Sequence, residues 1–328
     1  MAVGFDFGTL MAVNPLDIVL LLALPASGKS EIRRYLGSLP ADVALDDFGL
    51  MPTVQIDDYP YVHAMRRISQ ETRRLGMGTA FFDADDAPFA DARDWGTLTV
   101  LLDEDFHALR RQRAVGASAS WLLDRLDHAR ATVGAPVLFE DRSECLESAI
   151  AADAAELVAG LPNPIEEPHT VVIEFARGGP DGASMPLPAP IGYRYSLSLL
   201  SPDILGRAVI LYVWVTPEES RRKNKERARA GADGSILHHG VPEVVMRTEY
   251  GLDDMAWLLE SSEVPGTITV EAHGRLYRIP AARFDNRVDH TSFLRADPEQ
   301  WSRQDVDILH GQLVDVFGLL RARMNAST

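Results

Sequence analysis

The chain reads as an α/β protein, a central and mostly parallel sheet covered by helices in three layers. Three observations predict this. The apolar run Ile18 to Leu22 leads directly into Ala23-Leu-Pro-Ala-Ser-Gly-Lys-Ser30 and then a helical pattern over Glu31 to Leu36. That order is strand, glycine-containing loop, helix. Two further runs, Thr170 to Phe175 and Ala208 to Val215, are rich in β-branched and apolar residues, as strands buried on both faces are. Helical patterns separate the runs, and such alternation builds a parallel sheet with helices on both faces.

The loop after the first run carries the clearest chemistry. Backbone N–H groups in a turn of this kind point inward and make a nest for phosphate oxygens, and the following helix adds the positive end of its dipole. Pro25, Ala26, Ser27, Gly28, Lys29, Ser30 and Glu31 form the expected phosphate cradle. Lys29 reaches the outer phosphates, and the Ser30 hydroxyl is placed to ligate Mg²⁺. The first position of the pattern holds Ala23 where glycine is usual. Alanine serves there if its φ is negative.

Val43 to Leu45 is expected to be a short second strand ending in Asp46-Asp47. Ligands in such sheets bind beyond the carboxyl ends of the strands. A carboxylate there can orient an acceptor hydroxyl and take its proton, which makes Asp47 the first candidate base and Asp46 the second. The alternative role for the pair is a helix N-cap. Asp57-Asp58 reads as an acidic cap on the helix Tyr61 to Arg74. The stretch 60–165 is too long for one crossover and is expected to be a mostly helical insertion, with further helices at Ser118 to Thr132 and Cys145 to Leu161. Its acidic segment, Asp83 to Pro88 with Asp91 and Asp94, lacks the glycine and terminal glutamate of a calcium loop and reads as solvated.

The third run ends in Glu174, a candidate for the Mg²⁺ hydration shell, with Arg177 near enough in sequence to touch substrate. Gly178 to Pro190 is a long Gly- and Pro-rich loop. After the fourth run, Thr216 and Glu219 fit a capping box with Pro217 at the first helical position. The helix that follows is thick with cations, among them Arg222, Arg227 and Arg229. These either pair with surface carboxylates or form a lid, over 216–250, that clamps a transferring phosphate. His238-His239 is not read as a metal site. The fifth strand lies at Thr267 to Glu271 or Leu276 to Ile279, which can also form a hairpin about His273-Gly274. Trp301 to Met324 is amphipathic and either packs on the sheet or offers a homodimer face.

At 328 residues the chain can form one large domain with a full core. A net charge of −16 argues against general nucleic-acid binding. Cys145 is the only cysteine, which excludes an internal disulfide and a cysteine metal site. The first apolar run is far short of a membrane span, so no membrane association and a cytoplasmic location are expected.

With these pieces together the chain resembles the P-loop kinase group, most of all the small-molecule and zeta-toxin-like phosphotransferases. The residues that carry the likeness are Pro25-Ala-Ser-Gly-Lys-Ser30, the pair Asp46-Asp47, the unit Thr216 to Arg229, and Gly240-Val-Pro-Glu with Arg247 and Tyr250 behind it. The resemblance implies a five-stranded parallel sheet, a lid over ATP and Mg²⁺, and a hydroxyl or phosphate acceptor. It implies that Lys29 and Ser30 hold phosphate and Mg²⁺, that Asp47 serves the acceptor, and that Arg222, Arg227 or Arg229 act from the lid. The expected function is an ATP- and Mg²⁺-dependent phosphotransferase on a small-molecule or nucleotide acceptor. The alternatives are a nucleotide-hydrolysing switch, for which Asn286-Arg-Val-Asp289 is similar to the guanine-reading Asn-Lys-x-Asp, and a nucleotide-binding module without catalysis.

Overall fold

The computed structural model describes residues 14–110, 118–141, 143–163, 168–230 and 240–327. Six strands, β1 (Ile18–Leu22), β2 (Thr53–Asp57), β3 (Thr170–Phe175), β4 (Ala208–Trp214), β5 (Thr267–Ala272) and β6 (Arg275–Asp285), form one sheet in the order β2-β3-β1-β4-β6-β5. All neighbours run parallel except β5, which pairs antiparallel with β6 at the edge. The predicted hairpin is present. His273 (φ 51°) and Gly274 (φ 70°) both adopt the left-handed conformation that a two-residue turn needs. The second half of β6, from Ala281 to Asp285, then lies parallel to β4 as the fifth parallel strand.

Alternation along β1 assembles two cores. Ile18, Leu20 and Leu22 face one side, and Val19 and Leu21 the other. The second side is covered by α1 (Lys29–Gly37), α2 (Ala41–Phe48) and α12 (Arg303–Ser327), through Ile32, Phe48, Leu313 and Phe317. The C-terminal amphipathic segment therefore packs on the sheet. The first side is covered by α4 (Asp94–Arg110), α7 (Gly192–Ser198), α8 (Pro202–Leu205) and α11 (Met255–Glu260). A separate apolar cluster joins α3 (Tyr59–Arg74), α5 (Ala119–Thr132) and α6 (Glu144–Gly160) to one flank of α4 and to α10 (Glu243–Thr248). The 60–165 segment is helical as expected, yet α4 within it is part of the sheet's own cover, placing Leu102 and Phe106 against Ile18 and Ile173 in the same core.

One strand expectation fails. Val43 to Leu45 lies inside α2, a helix that begins after Pro40 and stops at Gly49, whose φ of 69° is the left-handed stop that glycine supplies. The second strand is Thr53-Val-Gln-Ile-Asp57, an edge strand. An edge strand need not be apolar on both faces, so its half-polar sequence hid it. Among the described residues no helix is long and apolar enough to cross a membrane.

Candidate active site

The loop expected to bind phosphate joins β1 to α1. Ala26 (φ 55°) and Gly28 (φ 107°) turn the chain so that Lys29 opens the helix. Ala23 is fully buried and keeps an ordinary negative φ, so alanine fits there. A Cβ on Gly28 would stand 2.4 Å from Thr291 Oγ1 and 2.8 Å from Asn286 Nδ2, so both conformation and space demand glycine. Those two residues brace the loop, with Asn286 Nδ2 donating to the Ser27 carbonyl at 2.7 Å. Ser220 Oγ, in the first turn of α9 (Pro217–Ala230), donates to the Pro25 carbonyl at 2.7 Å. Lys29 Nζ donates to the carbonyls of Ala23 (3.1 Å) and Leu24 (3.4 Å). Burial lowers the Lys29 pKa, opposed by Glu174, Asp58 and Asp57. Ser27 Oγ is buried without a partner.

A pocket of about 350 Å³ opens at the carboxyl ends of the strands. Its inner end brings Lys29 and Ser30 together with Asp57, Asp58, Glu174 and Arg227. Asp57 and Glu174 are register partners on β2 and β3. Arg33 Nη1 lies 2.7 Å from Glu174 Oε2 and 3.7 Å from Asp57 Oδ2, so one guanidinium serves two carboxylates. Burial, and then the charges of Glu174 and Asp58, push Asp57 up to about 7. Asp57 Oδ1 also accepts from the Tyr59 N–H at 2.8 Å, so Asp57 serves the first N–H of α3, while Asp58, at the N-cap position, makes no side-chain capping bond.

Asp58 is fixed by Arg177, which is 1% exposed. Arg177 Nη1 donates to Asp58 Oδ2 at 2.5 Å, while Nε and Nη2 donate to Ser196 and Thr99. The guanidinium lies 5.1 Å from the Trp95 ring centre and 5.0 Å from that of Phe175. Arg177 does not line the pocket; it holds a residue that does. Removing one partner of a buried ion pair strands the other charge. Arg177→Met is therefore expected to destabilise the fold by about 3–5 kcal/mol, measured by denaturant unfolding. A change below about 0.5 kcal/mol would show the pair to be incidental.

Asp46 and Asp47, the expected acceptor carboxylates, are elsewhere. They sit on α2, where Arg321 donates to both backbone carbonyls and His310 Nε2 lies 3.1 Å from Asp47 Oδ2. Neither lines the pocket. The error follows from the misplaced strand, because the acidic pair that ends β2 is Asp57-Asp58.

The cations of α9 divide. Arg222 is exposed and paired with Glu219 and Glu226 on its own helix, outside the pocket. The Arg229 side chain and residues 231–239, including His238-His239, lie outside the described residues. Arg227 lines the pocket, and its Nη2 donates to both oxygens of Glu31 at 3.1 and 3.0 Å. Arg295 Nε donates to the same carboxylate at 2.8 Å. Burial acts to raise the Glu31 pKa, but Arg227 and Arg295 together hold it below its usual value. Glu31 thus anchors Arg227 and does not reach the pocket itself. Asp289 is also committed, with Lys223 Nζ at 2.8 Å and the Ser292 N–H at 3.0 Å.

The outer wall is aromatic. Phe82 stacks on Phe89 at 4.5 Å, Phe89 meets the Trp95 edge at 4.9 Å, and Trp95 meets Tyr250 at 5.4 Å. Glu249 stands among them. Its Oε1 accepts from the Phe89 N–H and the Trp95 Nε1–H, each at 3.2 Å. Burial pushes the Glu249 carboxyl up to about 7, against the pull of those donors and of Arg66 and Arg177. Folding thus favours the protonated form, so this group's contribution is greatest below pH about 4.5 and is lost as pH rises to about 7. Asp253, also pushed up to about 7 by burial, acts in the same sense. Glu249→Gln removes one such group. The variant is expected to match the parent near pH 4.5 and exceed it by about 2 kcal/mol at pH 8, read from paired unfolding curves. A pH-independent difference would show that the carboxyl is not the source.

Comparison with family models, with curated proteins and with solved structures gives no match.

Proposed function

We propose that the protein is an ATP- and Mg²⁺-dependent phosphotransferase that phosphorylates a hydroxyl group bound in the aromatic pocket. The observation that carries this reading is the convergence of Asp57, Asp58 and Glu174 on Lys29 and Ser30 in one pocket beside the loop. The strand order with β1 between β3 and β4 supports it, since the loop then sits at the centre of the sheet. The residues suit a triphosphate. Ser27 Oγ is a buried group in need of a partner, Lys29 is a preplaced cation, and the left-handed Gly28 lets the backbone curl around an anion.

Each residue then has a role. Lys29 and the loop N–H groups bind and orient the outer phosphates. Arg227 offers a second cation from α9. Ser30, with Glu174 and Asp57 through water, would hold Mg²⁺, which when bound neutralises charge on the β- and γ-phosphates. Asp58 keeps one oxygen on Arg177 and uses the other to orient the acceptor hydroxyl. The acceptor oxygen bonds to the γ-phosphorus, the bond to the β–γ bridging oxygen breaks, and the hydroxyl proton passes to Asp58. Binding together with carboxylate positioning supplies the rate, as this chemistry requires little covalent help. Against a guanine-reading switch stands the commitment of Asp289 to Lys223.

The test is thermal unfolding with MgATP and with MgGTP, followed by ADP release across a panel of hydroxylated acceptors. Preferential stabilisation by MgATP and acceptor-dependent ADP release support the reading. Binding without turnover on any acceptor would favour the non-catalytic module. A shift with MgGTP alone would favour the switch.

A further inference from the structure

The pocket is built for one kind of acceptor, an inference that rests on the phosphotransferase reading and deepens it. Among the described residues its lining carries five carboxylates, Asp57, Asp58, Asp85, Glu174 and Glu249, against three cations, Lys29, Arg66 and Arg227. Lys29 belongs to the phosphate loop, and Arg227 is held by Glu31. Arg66 is the cation of the acceptor half, and both of its Nη atoms are engaged. Nη1 donates to the Asp85 carbonyl at 2.8 Å, Nη2 to the Ala87 carbonyl at 3.2 Å, and the guanidinium lies 4.0 Å from the Phe82 ring centre. An anionic acceptor such as a sugar phosphate needs an open guanidinium fork or its equivalent. Among the described residues the acceptor half presents no guanidinium with both Nη atoms uncommitted.

It presents the reverse. Glu249 takes both of its N–H donors on Oε1, and Oε2 receives no hydrogen bond from a described residue. The carboxyl is flanked by Trp95, Phe89 and Tyr250, and once ionised, above about pH 7, it suits a protonated amine beside those rings. The stacked wall of Phe82 and Phe89 suits a flat apolar body. We propose that the acceptor is a hydroxylated amine with a flat apolar body, its hydroxyl at Asp58, its ammonium at Glu249 and its body along the aromatic wall. Glu249 is then a specificity determinant that excludes acidic acceptors.

Three compounds that share one ring and one benzylic hydroxyl test this. They are 2-amino-1-phenylethanol, 1-phenylethane-1,2-diol and mandelate, which differ only in the cationic, neutral or anionic neighbouring group. Binding to the full chain is measured by calorimetry at pH 8, where Glu249 is ionised and the amine is protonated, without nucleotide, and MgATP binding is measured separately. The amine is expected to bind at least about tenfold more tightly than mandelate, with the diol between. Glu249→Gln should erase most of that preference, while Glu271→Gln on the exposed edge strand should keep it. Mandelate binding as well as the amine, no binding by any of the three, or a preference unchanged in Glu249→Gln overturns the proposal. If MgATP binds while the three bind equally, the acceptor assignment fails and the phosphotransferase reading stands. If the amine binds selectively while MgATP does not bind, the amine site stands and the phosphotransferase reading fails.

Discussion

Lys29→Met is expected to abolish phosphoryl transfer and leave the fold at least as stable as the parent. Two different physical facts lead to this. Lys29 Nζ stands inside the loop on the carbonyls of Ala23 and Leu24, where the charge of a transferring phosphate would develop. Deleting one preorganised charge partner of a transition state costs on the order of 10²–10³ in rate, and a full positive charge on a phosphate sits at or beyond the upper end. The same residue is a burden on the folded state. Its side chain is buried, and burial works against its charge. Methionine keeps the volume and removes that desolvation cost. The expected result is a thermal midpoint equal to or above the parent's and the loss of the MgATP shift. A large fall in the midpoint would make Lys29 a structural residue, and full turnover would remove the phosphate-loop assignment. A group whose removal stabilises the fold and destroys activity is the signature of a site paid for in stability.

Asp58→Asn should lower turnover by about 10²–10⁴ with little change in MgATP affinity, while Asp47→Asn should change neither. Asp58 stands in the pocket with one oxygen fixed by Arg177, whereas Asp47 stands on α2 beside His310. Asparagine can still accept the Arg177 hydrogen bond but cannot take a proton, so orientation is kept and base function is lost. Single-turnover rates with saturating MgATP separate the two effects. Loss of turnover in Asp47→Asn with normal turnover in Asp58→Asn would reverse the assignment. Loss of MgATP binding in Asp58→Asn would move that residue from the acceptor to the nucleotide.

The two experiments also mark where sequence reading succeeded and where it failed. Lys29 was legible as a candidate because the pattern around it is local. Strand, loop and helix occupy consecutive residues, and glycine, lysine and serine are needed there by the geometry of the turn itself. Asp58 was legible only as a helix cap. Its place in the pocket depends on Arg177, 119 residues away in the chain. The partition of the α9 arginines was also hidden. Arg222 and Arg227 look alike in sequence, but Arg222 meets carboxylates of its own helix and Arg227 meets the buried Glu31 of α1. Asn286 and Asp289 suggested base reading and turned out to brace the loop and hold Lys223.

The sequence by itself determined β1, β3 and β4, the glycine-containing turn after β1 and most of the helices, and it offered the β5–β6 hairpin as one arrangement of the last strands. Central parallel strands are buried on both faces and are therefore apolar almost throughout, Glu174 at the pocket end of β3 being the charged exception among β1, β3 and β4, and caps and left-handed turns restrict residue type within a few positions. Tertiary structure alone decided that α2 is a helix and β2 an edge strand. It alone decided that α4 belongs to the sheet's cover and that Phe82, Phe89, Trp95, Glu249 and Tyr250 form one wall. Those outcomes rest on which half-polar segment pairs with β3 and on packing between segments far apart in the chain. Local periodicity carries no record of such contacts, because the free energy that selects them is gained only when both segments are already in place.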